Sequence, residues 1–328
     1  MIHLDARMYF SCLSSQKASY DFLTACYKRR NIEDADALAY SNAQAFLHYN
    51  TQGLDLYEQG IRLPQSMKPL LYFYGAAHLV KGCLLTVCPG YPEQTSQLAH
   101  GVSARKRKKR DFVFLQDEVK IQHQGLFPCL AEYLFGISQF TELKIPMADL
   151  IAAIPEMITL LARQKGSTLA AVGNVQSKQI ILPEAMCDGH HATWQTLLRR
   201  IASGLPKIQH YNQTSNGLEV LLEEVPSCMN NIGFFTAGNG TIYTGLVKNT
   251  TSGMSEMMIH YLLLYNLSML SRYETEWWGD LLSLREDLDY QAISIYLDTA
   301  ALKFPLLAAA WLNAMENGKN PGAAKRRD

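Results

Sequence analysis

A chain of 328 residues in which 48% of side chains are hydrophobic and 18% charged has the apolar material for a substantial core, and that balance excludes a wholly disordered protein. Lys and Arg total 30, as do Asp and Glu, so no global field draws nucleic acid or membrane to the molecule. Any such attraction must be local.

Met1 to Phe10 lack the basic, then apolar, then small-residue order of a secretory signal, which predicts a cytoplasmic protein. Apolar residues recur at helical spacing from Ser19 to Arg30 and from Asp34 to about Glu58, with Asp34 placed to cap the second helix. Pro69 falls where a first helical turn tolerates proline. Leu70, Phe73, Ala77, Val80 and Leu84 then cover most of a helix's circumference, which predicts a central helix ended by Pro89, Gly90 and Pro92. A polar loop leads to His100, Gly101 and the cationic run from Arg105 to Arg110. Phe112 to Leu115 and Val119 to Ile121 predict a strand pair, and Pro128 to Leu134 a helix.

Met147 to Arg163 has helical spacing in spite of Pro155, and His191 to Ala202 predicts another helix; no clear period runs between them. Leu218 to Leu222 and Gly233 to Val247, interrupted by Gly238, Asn239 and Gly240, predict strands with a hairpin turn. A helix from about Met254 to Trp278, capped by Ser252 or Gly253, precedes a last helix from Tyr290 to Glu316 kinked at Pro305. The apolar windows Leu70 to Val87 and Ala300 to Leu312 are interrupted, by His78 and Lys81 in one and by Lys303 and Pro305 in the other, so neither reads as a membrane span. The expected fold is α+β and mostly α-helical: two helical lobes, residues 1–145 and 146–317, each with a short antiparallel β element, and a mobile tail over 318–328.

Two stretches carry the residue types for anion binding. Arg105, Arg107 and Lys108, with His100 in the turn before them, concentrate positive potential and suit the phosphates of RNA, DNA or a nucleotide. The alternative is a solvated loop answered by Asp111, Asp117 and Glu118. On a continuous helix Arg272 and Glu276 stand one turn apart, and Tyr273 and Trp277 share a face with Asn266 and Leu270. That pattern is either a core ion pair under a tryptophan or a pocket in which Arg272 holds an anion and Tyr273 or Trp277 offers a stacking face.

Glu184, Cys187, Asp188, His190 and His191 are ligand-type residues, yet adjacent histidines diverge on a helix, so a helix start capped by Asp188 is expected and no metal. His78 reads as a core histidine. Cys12, Cys26, Cys83, Cys88, Cys129, Cys187 and Cys228 form no close CxxC pair, which predicts reduced and mostly buried thiols. The chain has no Gly-rich phosphate cradle, dinucleotide fingerprint or GxSxG elbow, so no cofactor is expected.

The segments PLLYFYGAAHLVKG (Pro69 to Gly82), LAHGVSARKRKK (Leu98 to Lys109) and LYNLSMLSRYETEWW (Leu264 to Trp278) resemble the YaaC-like protein family of Bacillus and related bacteria, over nearly the whole chain. The resemblance brings no reaction with it. It implies a link to purine nucleotides, because the family's genes in bacilli stand beside that of an IMP dehydrogenase. Helix, His-Gly loop and helix is also similar to the HEPN superfamily, some of whose members are ribonucleases using an arginine and a later histidine separated by four to six residues. No arginine here is followed by a histidine at that spacing, which disfavours such a nuclease. The expectation is a non-enzymatic binding or regulatory protein for a phosphate-bearing ligand, a purine nucleotide or RNA. The alternatives are a nucleotide- or RNA-processing enzyme and a structural protein that assembles as a homo-oligomer.

Overall fold

Apolar periodicity produces the helices of the first 85 residues from Ser19 onward where it predicts them. In a computed structural model, which describes residues 5–105, 112–163, 167–226, 232–285 and 288–319, α1 (Ala6–Cys12) is followed by α2 (Gln16–Arg29) and α3 (Ala35–Arg62). Ser15 caps α2 by accepting from the Ala18 N–H. Asp34 precedes α3 but sits in the left-handed region at φ 53° and makes no side-chain capping bond. The central helix is α4 (Lys68–Leu85), with proline in its first turn as expected.

Pro155 divides the helix expected from Met147 to Arg163. A proline donates no N–H and its ring crowds the carbonyl four residues back, so the chain forms α6 (Met147–Ala152), a 3-10 turn at Pro155–Met157 and α7 (Ile158–Ala162). Before it, α5 (Leu126–Cys129) continues into a π-helical turn, Leu130–Leu134. α8 (Ala185–Gly189) contains Asp188, and α9 (Trp194–Ile201) is capped by Thr193, which corrects the expected cap at Asp188.

Near the C-terminus, α10 (Glu256–Tyr273) is capped by Ser255, three residues later than Ser252, and every residue from Glu256 to Leu270 is buried. The long helix expected to reach Trp278 breaks at Glu274, where φ −116° and ψ 51° end α10, and α11 (Thr275–Leu284) begins. α12 (Leu288–Glu316) carries Pro305 inside it. By length and composition α12 could cross a membrane, yet here its Tyr296, Phe304 and Trp311 are fully buried in the protein and the Trp311 indole donates to Thr86 Oγ1 at 3.2 Å. α4 packs on α3, α10 and α12 at the centre of the helical layer.

Two antiparallel sheets complete the mostly helical α+β fold. In the first, β2 (Glu118–Ile121) lies between β1 (Val102–Ala104) and β3 (Lys144–Pro146). The expected partner strand at Phe112 to Leu115 is not one: Phe114–Gln116 forms a 3-10 turn, because the Phe114 and Leu115 N–H groups donate to the Asp289 carboxylate at 2.6 and 3.4 Å. The second sheet has the order β6-β7-β5-β4-β9-β8, from β4 (Leu169–Asn174), β5 (Gln179–Leu182), β6 (Ile208–Thr214), β7 (Gly217–Leu222), β8 (Phe234–Thr236) and β9 (Thr241–Gly245). The hairpin joining β8 and β9 turns where Gly238 to Gly240 place it.

The buried apolar residues form two clusters. One runs from Phe10 to Leu169 and from Phe235 to Met315, joining the helical layer and the small sheet. The other, from Val172 to Ile242, packs α8 and α9 against the large sheet. Packing therefore groups buried residues from the two ends of the chain in one cluster.

A charged group lies inside the first cluster. Lys303 Nζ reaches Glu156 at 2.7 and 2.9 Å and Glu256 at 2.5 Å, with Lys303 7% and Glu256 1% exposed. Burial pushes the Glu256 carboxyl up to about 7 against the pull of Lys303. Burial opposes the Lys303 charge, but the two carboxylates outweigh it and hold its pKa above the ordinary lysine value. His260, one helical turn from Glu256, is kept neutral by burial, and its Nδ1 lies 3.1 Å from the Tyr296 hydroxyl.

Candidate anion-binding site

The His-Gly turn is fixed against α4 and α10 by backbone bonds. The His100 carbonyl accepts from the Tyr261 hydroxyl at 3.0 Å and the Phe127 N–H at 3.1 Å, and the Ala99 carbonyl from the Leu126 N–H at 2.7 Å. Its ring rests against Phe73 at 4.8 Å, Tyr265 at 5.9 Å and Tyr74 at 6.0 Å. Gly101 at φ 76° and Gly125 at φ 129° cross here so closely that a Cβ on Gly125 would lie 2.4 Å from the Gly101 backbone.

Residues on either side of the cationic run lie beside α10 and α11. Before it the Ala104 N–H donates to the Tyr265 hydroxyl. After it Phe112 packs edge-on against Trp277 at 4.8 Å. Arg105 is exposed and lines a cavity of about 540 Å³ with Gln116, Asp117, Glu118, Lys120 and Lys144, where Lys144 pairs with Glu118 at 2.8 Å. Arg107 and Lys108 lie outside the described residues.

Arg272 is half-buried at the last turn of α10. Its Nε donates to the Ser268 carbonyl at 3.0 Å and its guanidinium lies 5.2 Å over the Tyr273 ring. The break at Glu274 puts Glu276 into α11, exposed, so the one-turn spacing with Arg272 is lost and no ion pair joins them. Tyr273 is 53% exposed, and Trp277 is half-buried against Phe112 and Trp278.

Sequence reasoning missed part of this surface. Lys81 on α4 is half-buried, lies 5.5 Å from the Tyr49 ring centre and has its pKa lowered by burial. His78, three residues before it, is half-buried beside the same ring at 5.9 Å, and its Nδ1 is buried with no hydrogen-bond partner among the described residues. The available signal was His78 and Lys81 at helical i,i+3 spacing in an otherwise apolar segment. The charges of Arg272 and Lys81 both reach His100, whose pKa is lowered first by burial, then by Arg272 and then by Lys81. Among the described residues no carboxylate pairs with Lys81, Arg105 or Arg272.

The other candidates are placed elsewhere. His190 Nε2 lies 3.0 Å from the Gly245 carbonyl, His191 is exposed at φ 46°, and among the described residues no group of three metal-ligand side chains converges. Cys26, Cys83, Cys88 and Cys129 are buried free thiols, Cys187 is partly buried and Cys12 is exposed. Among known proteins, the YaaC-like Protein family model matches residues 11–312. No curated protein and no solved structure matches the chain.

Proposed function

We propose, from the premise that this chain belongs to the YaaC-like protein family, that it is a non-enzymatic binding or regulatory protein for a phosphate-bearing ligand, a nucleotide or nucleic acid. The observation that carries the reading is the gathering of Lys81, His100 and Arg272 without a carboxylate, beside the start of the cationic run. Unpaired, half-buried cations lose hydration without gaining a partner, and a phosphate would offset that loss. Tyr74 and Tyr273, both exposed, offer ring faces to a base at the edge of the same surface. The family's resemblance-based link to purine nucleotides agrees with that chemistry.

Titration calorimetry with purine mononucleotides, and separately with a short single-stranded RNA, tests the reading. Arg272→Ala removes one charge-assisted contact, worth about 1.5–3 kcal/mol, and weakens binding by roughly tenfold or more. Lys81→Ala acts in the same direction. Binding tightens as pH is lowered, because the anion restores a proton on His100 that burial and the neighbouring cations repel. No binding by any of these probes, or binding indifferent to Arg272 and Lys81, would overturn the proposal, and turnover of a bound nucleotide or RNA would overturn its non-enzymatic part.

A further inference from the structure

The two apolar clusters do not meet everywhere. Between them lies a cavity of about 650 Å³, bounded by the segment 137–142, α9, the ends of β4 and β9, and the loop 248–254 that leads into α10. Its size is that of a small-molecule site, and its place at the junction of two packed units is where such sites concentrate. One wall is apolar, with Phe140, Leu197, Ile201, Ile232 and Phe235. Two cations, Arg200 and Lys248, stand on the lining against one acid, Glu142, and among the described residues neither cation has an ion-pair partner.

The polar loop of the lining is preformed. Asn249 Oδ1 accepts from the Thr251 N–H and from the hydroxyls of Thr251 and Ser252, at 2.9 to 3.1 Å, and the Thr250 hydroxyl donates to Asp149 at 2.7 Å. These hydroxyls are committed to the loop itself and to Asp149 of α6, so the charge available to an occupant is that of Arg200 and Lys248. We propose that this cavity is a second ligand site, distinct from the His100 surface. It takes an organic anion with an apolar, ring-sized body: the body lies on Phe140, Ile201 and Phe235, and the acidic group faces Arg200 and Lys248. The physical basis is complementarity of both kinds at once, since the apolar wall favours a dehydrated body while two unpaired cations select the sign of its charge.

Anilinonaphthalene sulfonate, which joins an aromatic body to an anionic group, is a direct fluorescent probe, and the uncharged phenylnaphthylamine is its control. The native protein binds the sulfonate saturably. Arg200→Ala with Lys248→Ala, both exposed positions whose loss spares the core, weakens the sulfonate about tenfold or more and leaves the neutral probe unchanged. Gly253 lines the cavity and a Cβ there would meet nothing within 4 Å, so Gly253→Phe occupies the space without a backbone clash and abolishes binding of both probes. Arg272→Ala leaves both probes unaffected, which separates this site from the one proposed above. Sulfonate binding that survives Gly253→Phe in a folded variant, or that ignores the loss of both cations, would overturn the proposal.

Discussion

Lys303→Met lowers the unfolding free energy by about 3–5 kcal/mol in urea denaturation at neutral pH. The reason lies in what remains. Methionine fills the apolar part of the space, but Glu256, 1% exposed, and Glu156 lose the ammonium that both contact, and a buried carboxylate without a counter-charge must take up a proton or destabilise the fold. The same logic gives the wild-type protein a pH dependence. The Glu256 carboxyl titrates at about 7 in the folded chain against 4.5 for the ordinary group, so the folded state binds the extra proton between those values. This group's favourable contribution is fully present below 4.5 and is lost as pH rises through about 7. Glu256→Gln should flatten the stability profile across that window, and an unchanged slope would show that other groups set it.

Gly125→Ala costs roughly 3 kcal/mol or more and disturbs the His100 turn in the same step. The residue sits at φ 129°, where a side chain is strained, and its Cβ would fall 2.4 Å from the Gly101 Cα and N and 2.8 Å from the Ala99 carbonyl. All of these are backbone atoms held by the bonds of Ala99 and His100 to Leu126 and Phe127, so nothing flexible can yield. Phosphate affinity should fall with stability, because His100 cannot keep its place if the crossing opens. Gly279→Ala is the comparison: it lies at an exposed position of α11, its Cβ meets nothing within 4 Å, and it should raise stability by up to about 1 kcal/mol through helix propensity alone. Thermal and urea unfolding of the two variants read opposite signs.

The helices were largely legible because their periodicity is local. α2, α3, α4 and α12 follow from the spacing of Phe22, Phe46, Phe73 and Phe304 and their neighbours, and the β8–β9 hairpin from its glycines. The failures have local causes too. β1 and β3 are three residues long, too short for alternation to register, and β6 is an edge strand whose residues are mostly exposed. The division at Pro155 followed from proline chemistry that the surrounding helical spacing masked. Asp34 and Asp188 look like caps, yet Asp34 stands in the left-handed region without a side-chain capping bond, and Asp188 falls inside α8 while Thr193 caps α9.

By itself the sequence determined the class of the fold, the family, the presence of basic residues at His100, Arg105 and Arg272, and the absence of a recognisable catalytic motif. These follow from composition, from periods of a few residues and from the identity of contiguous segments. Tertiary structure alone decided which of those residues meet. Lys81 and Arg272 act on His100 only because α4, α10 and the His100 turn pack together from distant parts of the chain, and Lys303 finds Glu156 and Glu256 across 147 and 47 positions. It also separated Arg272 from Glu276, four residues away, by ending a helix between them. Side-chain chemistry is written locally, whereas the partner of a charge is set by which surfaces the hydrophobic effect brings into contact.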